Sequence, residues 1–215
     1  VELFLLLQSY MTVEQMNKAE IVVKRSRFIG HVKPVETEQE AIAFIEEIRK
    51  LHSDATHNCY AYMVGERDQF QKQSDAGEPS GTAGKPILEV IKNRQLKNVA
   101  VVVTRYYGGI MLGAGGLVRA YTESAVAGID AAIPIWKKLH QEVRIVADYT
   151  WHGKIEHELR TSNTWIKDTL FTDKVVVICL PLHSESEQFV AKITDLTQGQ
   201  CPIELGELEY RNHSL

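Results

Sequence analysis

Three stretches between residues 52 and 121 carry most of the side chains that could do chemistry. They are His52-Ser53-Asp54-Ala55-Thr56-His57-Asn58-Cys59, the run Ser74-Asp75-Ala76-Gly77-Glu78-Pro79-Ser80-Gly81-Thr82-Ala83-Gly84-Lys85-Pro86, and the run Arg105-Tyr106-Tyr107-Gly108-Gly109-Ile110-Met111-Leu112-Gly113-Ala114-Gly115-Gly116-Leu117. His57 beside Asp54, with Asp75 and Glu78 in a polar loop, has the composition of an acid–base or metal site. The spacing argues against it. His52 and His57 are five apart, which puts them on opposite sides of a strand and off one helix face, and no HxH, HExxH or GxSxG accompanies them. A histidine that hydrogen-bonds a loop carboxylate is the favoured reading, and no residue is assigned a catalytic or metal-binding role. Cys59 as a nucleophile paired with His57 lacks an orienting third group.

The two glycine-rich runs each lead into a helix. Glycine permits close backbone approach, and the unpaired N–H groups of a helix start favour anions. Gly81, Thr82, Gly84 and Lys85 form one candidate anion site. Gly108, Gly109, Gly113, Gly115 and Gly116, with Arg119 one turn into the helix, form the other. Neither matches a nucleotide fingerprint, since GxxxxGK[ST] is absent and the glycines are misplaced for GxGxxG. The structural alternative, that the glycines serve tight turns and helix–strand packing, stands beside the functional one. Arg105, Tyr106 and Tyr107, with Arg119 and Tyr121 downstream, interleave rings that stack on unpaired bases with cations that meet phosphates. Adjacent strand residues face opposite ways, so one tyrosine of the pair is expected in the core and one in solvent.

The elements that must position these groups follow from composition and periodicity. Of 215 residues, 44% are hydrophobic and 24% charged, enough to fill a core and to exclude wholesale disorder. The longest apolar stretch, 175–182, is far short of the ~20 residues of a membrane span. The opening residues lack the basic flank of a signal peptide, and Val1 with the later Met11 marks residues 1–12 as a candidate extension. Cys59, Cys179 and Cys201 are odd in number and widely spaced, so they are expected as reduced, apolar fillers of a cytoplasmic protein. The first half reads as strands over 20–24 and 28–35, a helix capped by Thr37, a strand over 58–64, a polar loop from 65 to about 82, a helix over 86–96, a strand over 99–105 and a helix over 115–132. The second half reads β-α-β-β-α-β, the ferredoxin-like unit, after a linker at Pro134 and Lys137-Lys138. Charge divides the halves: residues 83–121 carry six basic side chains against one acid, residues 140–215 seven against twelve. A polyanion would have to meet the first half.

The runs His57-Asn58-Cys59-x-Ala61, Ser74-Asp75-x-Gly77-Glu78-Pro79-x-Gly81-Thr82-Ala83-Gly84-x-Pro86 and Arg105-Tyr106-Tyr107-Gly108-Gly109-x-x-Leu112-Gly113-x-Gly115-Gly116-Leu117 resemble the signature of the IMPACT / YigZ family over about residues 18–134. The resemblance implies an α+β chain of two domains. The first would have the ribosomal-protein-S5-domain-2-like fold, similar to domain IV of elongation factor G; the second would be ferredoxin-like, similar to domain V. Eukaryotic members regulate translation under amino-acid starvation by competing for the activator of an initiation-factor kinase. No RWD domain precedes the match in these 215 residues, so that partner is not carried over. Some bacterial relatives bear an Xaa-Pro dipeptidase label, which no residue here supports.

The expectation is therefore a cytoplasmic protein with domains at 1–137 and 138–215 that binds RNA or the ribosome and modulates translation without catalysis, cofactor, metal or membrane. His57, Lys85, Arg105, Tyr107 and Arg119 are the expected contacts, and a protein partner in translation is the further expected ligand. The rivals are an enzyme acting on a phosphorylated small molecule through His57, Asp75 and Glu78, and a regulator that docks proteins on its acidic second domain. Oligomeric state has no signal in the sequence.

Overall fold

The computed structural model describes residues 7–65 and 67–214. Its elements in chain order are β1 (Ser9–Val13), β2 (Asn17–Val23), β3 (Ser26–Pro34), α1 (Glu38–Leu51), β4 (His57–Val64), β5 (Phe70–Ser74), α2 (Gly84–Asn93), β6 (Val99–Tyr106), α3 (Ala114–Ala131), β7 (Pro134–Ala147), α4 (Tyr149–Thr161), β8 (Trp165–Phe171), β9 (Val175–Leu180), α5 (Ser186–Leu196) and β10 (Ile203–His213). The chain is α+β and divides into two compact units, Tyr10–Trp136 and Lys137–His213, with residues 7–9 grouped with the second. There the Tyr210 hydroxyl donates to the Leu7 carbonyl at 2.7 Å, and the Leu139 N–H to that of Gln8 at 2.9 Å.

The first unit is an antiparallel sheet in the order β2-β3-β6-β4-β5. Central β6 explains why its sequence is a β-branched run rather than an alternation: both its faces are covered. Val99, Val101 and Val103 pack with α2 and α3, while Ala100 and Val102 pack with Phe44, Ile45 and Ile48 of α1. Thr37 caps α1 by accepting from the Glu40 N–H at 3.2 Å; the Glu40 carboxylate accepts from Glu36, one residue upstream of a standard capping box. The polar loop expected after residue 65 contains strand β5 instead. Phe-Gln-Lys-Gln-Ser has no buried face and therefore no apolar alternation, and it is held by its pairing with β4.

The second unit runs β7-α4-β8-β9-α5-β10 with strands ordered β10-β7-β9-β8, the ferredoxin-like arrangement. One face of its sheet buries Val143, Ile145, Val175, Val177 and Cys179 against Ile155 and Leu159 of α4 and Phe189 and Ile193 of α5. Each such large side chain contributes about 1.5–3 kcal/mol. The expected linker at Pro134 and Lys137-Lys138 does not exist: these residues lie inside the 14-residue β7. Pro134 sits at the strand's first position, where a missing N–H is tolerated, and Ile135, Leu139, Val143 and Ile145 alternate inward. All three cysteines are free and buried; burial pushes the thiols of Cys59 and Cys179 up to about 12. No described helix is long and apolar enough to cross a membrane.

Candidate functional site

The three motif runs meet at one end of the first unit's sheet. His57 opens β4 opposite Arg105 near the end of β6, and Arg27 at the start of β3 pairs with Tyr106. Ser74 closes β5, and Gly84 at the start of α2 lies against it so closely that a Cβ there would come 2.7 Å from the Ser74 backbone. A Cβ on Gly108 would come 2.1 Å from the backbone of Arg25, which draws the β2–β3 turn to the same place.

The first glycine run is filled from within. The Asp75 carboxylate accepts from the backbone N–H groups of Gly81 (2.9 Å), Ala83 (3.0 Å) and Gly84 (2.9 Å), occupying the start of α2 that was expected to receive an external anion. Burial works against its charge, but the three bonds outweigh it and hold the carboxyl below its ordinary 3.8. Thr82 is buried, its hydroxyl donating to the Pro79 carbonyl at 2.6 Å. Of the four candidate anion-site residues in this run, Gly81 and Lys85 remain exposed.

Beneath it lies a buried polar cluster. Arg105, 6% exposed, donates to Glu78 at 2.6 Å, and Tyr121 donates to the same oxygen at 2.8 Å. Burial pushes the Tyr121 phenol far up, so it acts as a neutral donor. Cys59 Sγ lies 2.9 Å from the Asp75 carbonyl and 3.4 Å from the Tyr121 hydroxyl. This corrects Arg105 as a surface phosphate contact: its guanidinium is spent on Glu78, because leaving either charge alone in the core costs several kcal/mol. His57 Nδ1 sits 2.9 Å from the Ala76 carbonyl, so that nitrogen carries a proton. Its bond goes to a backbone carbonyl and not to the expected loop carboxylate, since Nε2 is 3.9 Å from Glu78, too far for a hydrogen bond. The acid–base trio thus comes together in space, but Asp75 and Glu78 are committed to other partners.

The second glycine run is open. α3 begins at Gly113 with no side-chain cap, and added Cβ atoms at Gly109, Gly113 and Gly115 would meet nothing within 4 Å. Gly109 and Gly113 hold positive φ angles of 81° and 73°, which is why glycine stands there. Gly116 instead packs against Leu112. Tyr107 is exposed and lies over the Arg105 guanidinium (5.4 Å), and Met111 is 82% exposed. Tyr106 is half-buried rather than in the core: its hydroxyl bonds His52 Nδ1 at 2.8 Å and donates to Asp54 at 3.1 Å. Arg119 stays exposed, reaching back to the Gly115 carbonyl at 3.3 Å.

The residues missed by sequence reasoning are Lys24 and Arg25. They are the two central residues of the β2–β3 hairpin, at φ 46° and 66°, where Asn-Gly is the usual pair. Holding two non-glycine residues there costs of order 1–3 kcal/mol each. The sequence shows two β runs joined by the basic Arg25-Ser26-Arg27, which places the turn one residue late and leaves its meeting with Gly108 unseen. Among the described residues no acid pairs with Lys24, Arg25, Lys85 or Arg119, whereas Arg27 is matched by Glu20 at 2.9 Å.

Residues 24–129 match the Impact N-terminal domain and residues 145–200 a domain of unknown function, DUF1949. The chain is 49% identical to the IMPACT family member YvyE of Bacillus subtilis, covering 95% of this chain and 94% of that one. It is 35% identical to YigZ of Escherichia coli, covering 84% and 90%. Protein IMPACT of Rattus norvegicus is 40% identical over 101 residues, 31% of its length. A crystal structure described only as that of a hypothetical protein superposes with a TM-score of 0.60 at 31% identity, covering 94% of this chain and 99% of the other. Matches of this extent across both units place the chain in the IMPACT family.

Proposed function

We propose that this chain is a non-catalytic RNA- or ribosome-binding protein that modulates translation through the open end of its first sheet. One observation carries the reading: exposed cations with no acidic partner among the described residues border the uncapped start of α3. Arg25 backs onto Gly108, Arg119 reaches Gly115, and Lys85 lines a groove with Val118, with Lys24 adjoining Arg25 in the turn and the Tyr107 ring exposed. Cations and free N–H groups supply phosphate contacts, and the ring supplies stacking on a base. The strained basic turn supports it, since Lys24 and Arg25 hold a conformation that favours other residue types. Membership in the IMPACT family, which implies a likeness to an elongation-factor domain, supplies the translational setting.

The test is binding of the full chain to purified ribosomal subunits and to a labelled oligonucleotide. The reading expects retention on subunits that is lost in a Lys24→Glu, Arg25→Glu, Arg119→Glu triple variant and kept in Lys192→Glu in the acidic unit. Retention that survives nuclease treatment and ignores the triple variant favours protein docking. A metabolite that raises the melting temperature through the same loops favours the enzyme reading.

A further inference from the structure

The second unit holds a second polar cluster, unrelated to the glycine runs. His140, at the beginning of the unit on β7, is buried, and its Nδ1 lies 2.8 Å from the Leu180 carbonyl oxygen. A carbonyl can only accept, so that nitrogen carries a proton and neutral His140 presents a bare Nε2. His213, the last residue of β10, places its own Nε2 2.9 Å from it and is the donor. The rings are 5.2 Å apart and within 12° of parallel, the geometry of two imidazoles joined edge to edge. Trp165 lies parallel to both, at 5.9 and 5.5 Å, and the Arg211 guanidinium lies over the same indole at 4.3 Å.

We propose that the His140–His213 pair is a proton-operated clasp that holds the end of β10 and releases it in mild acid. The pair tolerates one added proton, because moving a tautomer keeps one N–H pointing at one lone pair. A second proton leaves two donors and two like charges facing each other at 2.9 Å. Lys138 on β7 and Arg211 on β10 add to that repulsion. The pair also lines a cavity together with Glu158 of α4, Glu185 ahead of α5 and Lys192 of α5. Glu158 and Lys192 are already joined at 2.5 Å, and among the described residues no cation pairs with Glu185. Burial first, then Lys138, His140 and Arg211, hold the His213 imidazole below its ordinary 6.5. A base so depressed stabilises the fold fully above 6.5 and loses that contribution as pH falls through the lowered value. Opening stays local, because β10 is exposed from Glu204 to Leu208 and adds few apolar anchors. It frees the strand end and uncovers Trp165 and the cavity.

The test is hydrogen exchange of the full chain between pH 7.5 and 5, with β9 as internal reference. The clasp predicts that protection of residues 209–213 relative to β9 falls by up to about tenfold per pH unit between 6.5 and the lowered value and levels off below it, while β7 follows β9. His213→Gln, whose amide can donate to His140 without titrating, should abolish the fall. A constant ratio in the unaltered protein, or a fall that persists in His213→Gln, would overturn the clasp. Should that variant fail to fold, histidine ring NMR on the unaltered chain decides: His140 and His213 must titrate as a coupled pair in two separated steps, and two independent single steps contradict it.

Discussion

Two glycine-rich turns enter two helices at the same end of one sheet, and only one of the helix starts is filled by the chain itself. At α2 the Asp75 carboxylate takes three N–H groups, and Gly84 packs against the Ser74 backbone. At α3 the start is uncapped, and Gly109, Gly113 and Gly115 face open space. The same sequence signal, glycines with a cation just ahead, thus has two physical outcomes. What separates them is an acid: Asp75 lies close enough to fold back on its helix, and the second run contains none. The first turn is architecture; the second keeps its capacity for an external anion.

The comparison can be broken at its strongest point first. Glu78→Ala or Arg105→Ala strands a charge in the core and should cost about 3–5 kcal/mol in urea denaturation. A loss under 1 kcal/mol would mean the pair is solvated. Asp75→Ala leaves N–H groups of α2 unsatisfied and should cost about 2–3 kcal/mol. Because the Asp75 carboxyl is held below 3.8, its contribution is present above that value and lost as pH falls through the lowered one. The variant should therefore show a flatter acid limb in a pH series of melting curves. Next come adjacent glycines. Gly108→Ala drives a Cβ into the Arg25 backbone and should cost about 1–3 kcal/mol, whereas Gly109→Ala pays only for its positive φ, about 1 kcal/mol. Equal melting temperatures for the two would remove the claim that Gly108 sets the hairpin's position. The smallest stability effects belong to Lys24→Glu, Arg25→Glu and Arg119→Glu, each within about 0.5 kcal/mol.

Much of this architecture was legible in the sequence. Helix α1 announced itself through Thr37 and the apolar spacing of Phe44, Ile45 and Ile48, and the second unit through two amphipathic helices between alternating strands. β5 was hidden because an exposed edge strand leaves no hydrophobic pattern. At residues 134–138 a proline and two lysines read as a linker, whereas a strand's first position accepts proline and both lysines are half-buried within β7, so the units divide between Trp136 and Lys137 inside a continuous strand. The glycine runs were found, but their fates were not, because the partner of Arg105 and the target of Asp75 depend on which loops the sheet brings together. The basic types were visible; which would be spent on internal acids was not.

The most direct measurement is the salt dependence of oligonucleotide binding, followed by fluorescence anisotropy on the full chain and on the Lys24→Glu, Arg25→Glu, Arg119→Glu variant. Each phosphate contact contributes a slope of about 0.7–0.9 in log affinity against log salt, so three contacts should weaken binding roughly twenty- to fortyfold between 50 and 200 mM. The account predicts that slope for the unaltered chain and nearly none for the variant, with both proteins equally stable. Binding that is indifferent to salt, or a variant that keeps the full slope, would contradict it.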